Sequence, residues 1–299
     1  MAHQEKISFK DFCEKFCNEE ACREYLIRLR WPEGFICPKC GKSGGYMIKE
    51  RNVYQCKHCR QQSSATAGTV MHHSRLPLKT WFWAIYLVSR DKCGYSATQL
   101  SSELGIAYSS AWYLLHRIRS AMKDRDAEYM LYGIVEVDDT YFGGSKGGGK
   151  RGRGAEKTKV LVAISKDKDN HPKYLKMKVV PDLQGDTIGH FMSSSVVKGS
   201  TIQSDAYHSY RKPMSDGYTH QYAVFDSDSD MLHWLHQAIA NAKASIIGTF
   251  HGFDQKHLQC YLDAFCYRFN RRRFRNEIFS RLLSAVTKSH ILGYAVLTR

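Results

Sequence analysis

The 299-residue sequence predicts a multidomain α+β protein, and three features carry that expectation. Four cysteines stand in two C-x2-C pairs inside a Gly- and Lys-rich stretch, a pattern that closes a small metal-bound unit. On either side, apolar residues recur at helical spacing. From about residue 131 to 225, strand-like and helix-like segments alternate, as they do in domains built on a sheet. The expected division is an N-terminal helical segment over 1–30, a zinc ribbon over 31–70, a helix-turn-helix-like helical region over 71–128 and a catalytic α/β domain with C-terminal helices over 129–299.

The composition narrows the function classes. Lys and Arg number 44 against 29 Asp and Glu, a net charge of +15. Such a field draws in polyanions, and nucleic acid is the commonest. An apolar fraction of 43% and an aromatic fraction of 12% exclude a wholly disordered chain. Charge-free stretches such as 80–89 and 106–115 fall short of the ~18 residues that a membrane-spanning helix needs, so no membrane association is expected. The start, MAHQEKISFKDF, shows no apolar signal core. Ten cysteines without such a signal read as reduced thiols or metal ligands, and the expected location is the cytoplasm.

Residues 1–30 place Phe9, Phe12, Phe16, Tyr25, Leu26 and Leu29 near helical spacing. Cys13 and Cys17 lie one turn apart there, without flanking turn residues, and read as packing positions. The next segment carries Cys37-x2-Cys40 and, fifteen residues on, Cys56-x2-Cys59. Each pair grips an ion from a tight turn, and together they fill the tetrahedral shell of Zn²⁺, which makes the zinc structural. Short strands are expected around Met47 and Tyr54. Over 76–123 the sequence reads as helix, beginning with an aromatic helix from 76 to 88. Ser96 caps a helix ending at Leu104, Gly105 turns, and a second helix follows from about 109 to 122. Arg117, Arg119 and Lys123 are then candidates to meet DNA phosphates.

In the alternating region, LYGIVEVDDTYFGG, KVLVAIS, KYLKMKVV and GSTIQSD read as strands, and 184–196 as a crossover helix. A Gly-rich basic loop with Lys146, Lys150, Arg151 and Arg153 is suited to follow a phosphate backbone. Helices are expected over 231–247 and 255–273, with a last one around Phe279 to Val286. Arg271, Arg272 and Arg273 form a basic cluster, read as DNA-contacting or as a solvated face. Asp138 and Asp205 are expected at strand ends, where two carboxylates can share divalent ions, Mg²⁺ or Mn²⁺, for displacement at a phosphodiester.

The runs LRWPEGFICPKCG, GTVMHHSRLPLKTWFWAIYL, HRIRSAM, VEVDDTYFGG, TIQSDAYHSY, GTFHGFDQKHLQCYLDAF and YRFNRRR, in that order over nearly the whole chain, resemble bacterial insertion-sequence transposases of the IS fifteen-ninety-five group. The resemblance implies a zinc ribbon, a helical DNA-binding part and a ribonuclease H-like catalytic domain of DDE type. It matches Asp138 and Asp205 to the first two catalytic acids. Asp139 stands where relatives often carry Glu, and no Glu occupies the third position. His236 and Lys243 stand at the seven-residue spacing that such enzymes give to the third acid and a basic helper. Of His233, His236 and Asn241, His236 shares a helical face with Lys243, because seven steps of ~100° return nearly to the start. Asn241, two before Lys243, points away and is the runner-up.

The function expected is a DNA transposase. It binds terminal inverted repeats as a homo-oligomer and catalyses metal-dependent cleavage and strand transfer. The alternatives are an inactive, repurposed DNA-binding regulator and a structure-specific nuclease of the same fold.

Overall fold

The computed structural model describes residues 7–143, 157–223, 231–250 and 254–298. They form two compact units, one of residues 1–125 with 274–299 and one of residues 126–273. The second unit thus stops near 273, where the expected division ran on to 299. The reason is packing: α10 (Ile278–Lys288) lies against α2 (Glu19–Arg30) and α3 (Leu78–Arg90).

In the first unit, the single N-terminal helical segment is two helices, α1 (Phe9–Lys15) and α2. Asn18 makes the break, its side chain accepting the Ala21 N–H as an N-cap. Phe12 and Phe16 bury their rings against Tyr86, Phe82 and Phe279, so α1 is held by aromatic contacts to α3 and α10. Pro77 precedes α3 and offers no side-chain cap. Glu19 supplies it from α2, its carboxylate accepting the Leu78 and Lys79 N–H groups at 2.8 and 3.0 Å.

The ribbon is an antiparallel sheet of β1 (Gly45–Ile48), β2 (Val53–Cys56) and β3 (Gln62–Ser63). The first two strands lie where the sequence places them; the third is too short for any alternation to reveal it. Phe35 and Tyr54 stack, and Trp31 meets both edge-on, as its small apolar core.

Helix α4 (Ala97–Leu104) is capped by Ser96 and closed by Gly105 at φ 62°, as the sequence expects. Helix α5 (Tyr108–Ala127) runs longer than its apolar stripe suggested. It corrects two candidate DNA contacts. Arg117 and Arg119 are buried, 3% and 6% exposed. Arg117 donates to the His72 carbonyl and lies between the Trp81 and Tyr113 rings. Arg119 donates to the Tyr95 carbonyl at 2.9 Å. Both guanidinium groups are spent on holding loops to α5, which leaves Lys123 exposed on that helix. Arg117→Ala is therefore expected to lower unfolding free energy by about 3 kcal/mol, the sum of a charged hydrogen bond and two ring contacts. Denaturant titration checks this, and DNA affinity per folded molecule should stay at the wild-type value.

The second unit is built on a five-stranded sheet in the order β6 (Pro172–Val180), β5 (Thr158–Lys166), β4 (Ile134–Phe142), β7 (Thr201–Asp205), β8 (Thr219–Ala223). The first three pair antiparallel and β4, β7 and β8 pair parallel. Within the domain this is strand order 3-2-1-4-5 with the second strand reversed, the ribonuclease H-like arrangement. The short strand β8 was not foreseen, and neither was the helix α7 (His208–Ser215) that leads to it. Strand β5 shows why the sheet is buried on both faces. Val160, Val162 and Ile164 pack on α8 (His233–Thr249) and α9 (Leu258–Asn270), while Leu161 and Ala163 pack on α6 (Gly185–Ser195) and α7.

The YRFNRRR run closes the outer edge of β6. Asn270 accepts the Leu175 N–H and donates to its carbonyl. Gln259 does the same for Val179 and Met177. Arg272 donates to the Pro172 and Lys173 carbonyls. These side chains satisfy an edge that would otherwise template pairing. Arg271 is 7% exposed, paired with Asp126 at 2.6 Å and stacked on Tyr267. Reading Arg271 and Arg272 as a DNA-contacting or solvated face is thus corrected. Arg273 is exposed and pairs with Asp167. Lys146, Lys150, Arg151 and Arg153 lie outside the described residues.

Candidate functional site

Two sites stand out, one in each unit. In the ribbon, Cys37, Cys40, Cys56 and Cys59 bring their sulfurs within 4.8 Å of one another. The closest pairs are Cys37–Cys59 at 3.5 Å and Cys40–Cys56 at 3.7 Å. Sulfurs bound at ~2.3 Å to a tetrahedral ion lie ~3.8 Å apart, so the cluster has the size of a Zn–S4 shell. Gly41, at φ 69°, makes the turn of the first knuckle, and its N–H bonds the Cys37 carbonyl. Burial raises the Cys37 thiol, but the N–H groups of Cys40 and Lys39 together with hydrogen bonds from the Cys59 and Cys40 thiols bring it down to about 6. A thiolate is thus favoured there, the form that binds metal. His58 gives only its N–H, to Cys56 Sγ at 3.4 Å.

The second site lies on the sheet face covered by α8. Asp138 is expected at a strand end but stands in the middle of β4. Strand β4 continues past it as a hairpin with β5 to Phe142, whereas its parallel pairing with β7 ends at Val137 and Ser204. Asp138 and Asp205 are the next residues on the two strands. They therefore sit side by side where the parallel ladder stops, on strands ~4.8 Å apart. Carboxyl ends of parallel strands are where open α/β sheets bind ligands. Asp205 Oδ1 accepts the Tyr207 N–H at 3.1 Å, and Asp138 Oδ1 accepts the Asp139 N–H at 2.7 Å. Asp139 faces the other way, within reach of the Tyr210 hydroxyl at 3.3 Å.

Helix α8 brings His236 over these carboxylates. Its Nε2 lies 3.3 Å from Asp138 Oδ2. The hydrogen bond to Asp138 raises the imidazole's pKa, burial opposes it, and the charges of Asp138, Glu136 and Asp205 add to the rise. Asn241 is exposed, on the solvent side of α8, and His233 is exposed at its start. Lys243 is half-buried beside the Phe142 ring at 5.8 Å, and burial with nearby Lys157 lowers its pKa. His236 thus faces the sheet, and Asn241 faces solvent.

One residue escaped the sequence reading. Glu136 is wholly buried, paired with Lys166 at 3.0 Å, and accepts the Leu235 N–H of α8. Its signal was present: in VEVDD it is a charge two residues before Asp138, on the same strand face.

Residues 130–270 match the ISXO2-like transposase domain, and residues 17–62 match the transposase zinc-ribbon domain. The chain belongs to this transposase family. The first match holds Asp138, Asp205, His236 and Lys243, and the second holds all four ribbon cysteines. A relative of the transposase in Halobacterium salinarum, an uncharacterized protein in transposable element ISH50, is 25% identical over 292 residues, covering 89% of this chain and 93% of that one. Among solved structures, the simian T-cell lymphotropic virus intasome in complex with PP2A regulatory subunit B56 gamma aligns at a TM-score of 0.30 and 11% identity, over 61% of this chain and 65% of that one. The Mos1 mariner paired end complex with Mn aligns at 0.23 and 12%, over 69% and 78%.

Proposed function

We propose that this transposase cuts double-stranded DNA at the ends of its element and joins the freed 3′-hydroxyl to target DNA. The observation that carries the reading is the convergence of Asp138, Asp205 and His236 at the end of the β4–β7 ladder. Two carboxylates and an imidazole suit a hard divalent cation, with the nitrogen favouring Mn²⁺ over Mg²⁺. Such an ion supplies charge neutralisation at the phosphate and a more acidic attacking water or hydroxyl. The chain's own residues do the rest. The sheet fixes the spacing of Asp138 and Asp205, α8 sets His236 between sheet and solvent, and Lys243 on the same helix offers a cation to a DNA phosphate. Lys123, Arg273 and the basic loop are the further candidates for backbone contacts. Acting on two element ends implies a homo-oligomer on DNA.

The test is transfer of a labelled element end into plasmid DNA with Mn²⁺. Cut and joined product is expected. Binding without cutting would make the chain a regulator, and cutting without joining a nuclease; either outcome overturns the proposal.

Two predictions follow from the charges. The His236 pKa is raised. Without metal, its pairing with Asp138 therefore stabilises the fold below the unfolded imidazole's pKa, and that contribution is lost as pH rises through the folded value. Metal needs the neutral ring, so cleavage runs the opposite way: it should fail as pH falls, with a midpoint that moves down as Mn²⁺ is raised, because metal and proton compete for the ring. A pH profile of cleavage checks this, with His236→Asn expected to remove that midpoint. The second concerns Lys150, Arg151 and Arg153. Neutralising all three should flatten the slope of log affinity against log salt by up to ~3 for duplex DNA. An unchanged slope would take the loop out of the interface.

A further inference from the structure

Glu136 sits on the same face of β4 as Asp138, with its side chain 1% exposed. A carboxylate so buried is tolerated only when paired and hydrogen-bonded. Lys166 meets Oε1 at 3.0 Å and also donates to Gln203 Oε1 at 2.7 Å. Gln203 in turn donates to Gln221 Oε1 at 3.2 Å. In the sheet register Glu136 lies opposite Gln203, and Gln203 opposite Gln221. A polar row thus crosses β4, β7 and β8 one pleat before the row that holds Asp138 and Asp205.

The other carboxylate oxygen of Glu136 leaves the sheet. It accepts the Leu235 N–H at 3.0 Å. Helix α8 has no side-chain cap of its own: Leu232, at φ 65°, occupies the N-cap position. Glu136 supplies from β4 the negative charge and the acceptor that the first turn needs. His236 follows Leu235 directly, and its own N–H is tied to the Leu232 carbonyl at 2.9 Å.

We propose that Glu136 is a positioning residue. Its carboxylate pins the first turn of α8 to β4, holds His236 against Asp138, and so sets the affinity of the carboxylate–imidazole site for a divalent ion. This rests on His236 being the third ligand. Lys166, itself donating to Gln203, pairs with Glu136 inside the sheet.

The experiment is a Mn²⁺ titration of the full-length chain, read from the electron paramagnetic resonance of the free ion. The key variant pairs Glu136→Leu with Lys166→Met, so that no lone lysine stays buried. Its expected effect is a ~10-fold weaker Mn²⁺ affinity, the scale of lost outer-shell support. Glu136→Gln with Lys166→Met keeps an acceptor for the Leu235 N–H and should restore affinity to within ~2-fold. Glu136→Asp keeps the charge but withdraws the reach to α8. It should weaken binding like the Leu–Met pair, and it serves if that pair does not fold. Adding His236→Ala to the Leu–Met pair, or to Glu136→Asp, should cost nothing beyond His236→Ala alone.

Wild-type affinity in a folded Leu–Met pair, or in Glu136→Asp, overturns the proposal. So do losses that multiply in the combined variant, since Glu136 would then act independently of His236. If His236→Ala alone leaves Mn²⁺ affinity unchanged, the ligand reading falls first, and the role of Glu136 with it.

Discussion

Asp138→Asn and Asp205→Asn should each lower end cleavage by at least ~10³-fold, with DNA affinity and melting temperature close to wild type. A loss of that size corresponds to about 4 kcal/mol of transition-state stabilisation, within what divalent ions supply at a phosphoryl group. Folding should survive because the local hydrogen bonds do. Asp138 Oδ1 accepts the Asp139 N–H and Asp205 Oδ1 accepts the Tyr207 N–H, and an amide oxygen can take over both. The Asp138 change carries a second signature. It removes the carboxylate whose hydrogen bond, and then whose charge, raises the His236 pKa, so the ring should titrate nearer its ordinary value. Cleavage at near wild-type rate by either variant would remove that carboxylate from the site.

Zinc removal should unfold the ribbon. Its sheet has two strands of four residues and one of two, with Trp31, Phe35 and Tyr54 as the aromatic core. That is too little apolar burial to offset the chain entropy of about 40 residues at ~1–2 kcal/mol each. Zinc binding to four thiolates supplies about 10–16 kcal/mol, so the ion decides whether the ribbon folds. Metal analysis should give about one zinc per chain. Limited proteolysis of the full chain with a chelator should cut first within 31–68, and Cys56→Ala should show the same pattern without chelator. Fully folded, protease-resistant protein free of zinc would contradict this.

The ribbon was legible because its determinants are local. Two C-x2-C knuckles specify their own geometry, and Gly41 marks the turn that the first of them requires. The turn at Gly105 and the cap at Ser96 were legible for the same reason: each acts within one helical turn. The ribonuclease H-like sheet was expected from family resemblance. Alternation gave its longer strands, but β8 is short and its pairing with β7 is decided across the sheet.

The arginines show the limit most clearly. A guanidinium in the sequence carries a charge but no direction, and a basic cluster reads as a DNA surface. Arg117, Arg119, Arg271 and Arg272 instead turn inward, because each finds carbonyls or a carboxylate to bond within the fold. Those acceptors lie 24 to 145 residues away in the chain, beyond any local pattern. Glu136 went unread for the same reason. Its partners Lys166, Gln203 and Leu235 are distant in sequence, and only the sheet register and the packing of α8 bring them together.

By itself, then, the sequence determined the zinc ligands, the helix boundaries set by caps and glycines, and the face that His236 shares with Lys243. Those depend on the fixed angles of a turn or a helix. Tertiary structure alone decided which charges face solvent, that Asp138 and Asp205 are neighbours, and that His236 meets Asp138. Each of these joins groups on separate elements, and no rule of local spacing fixes how separate elements pack.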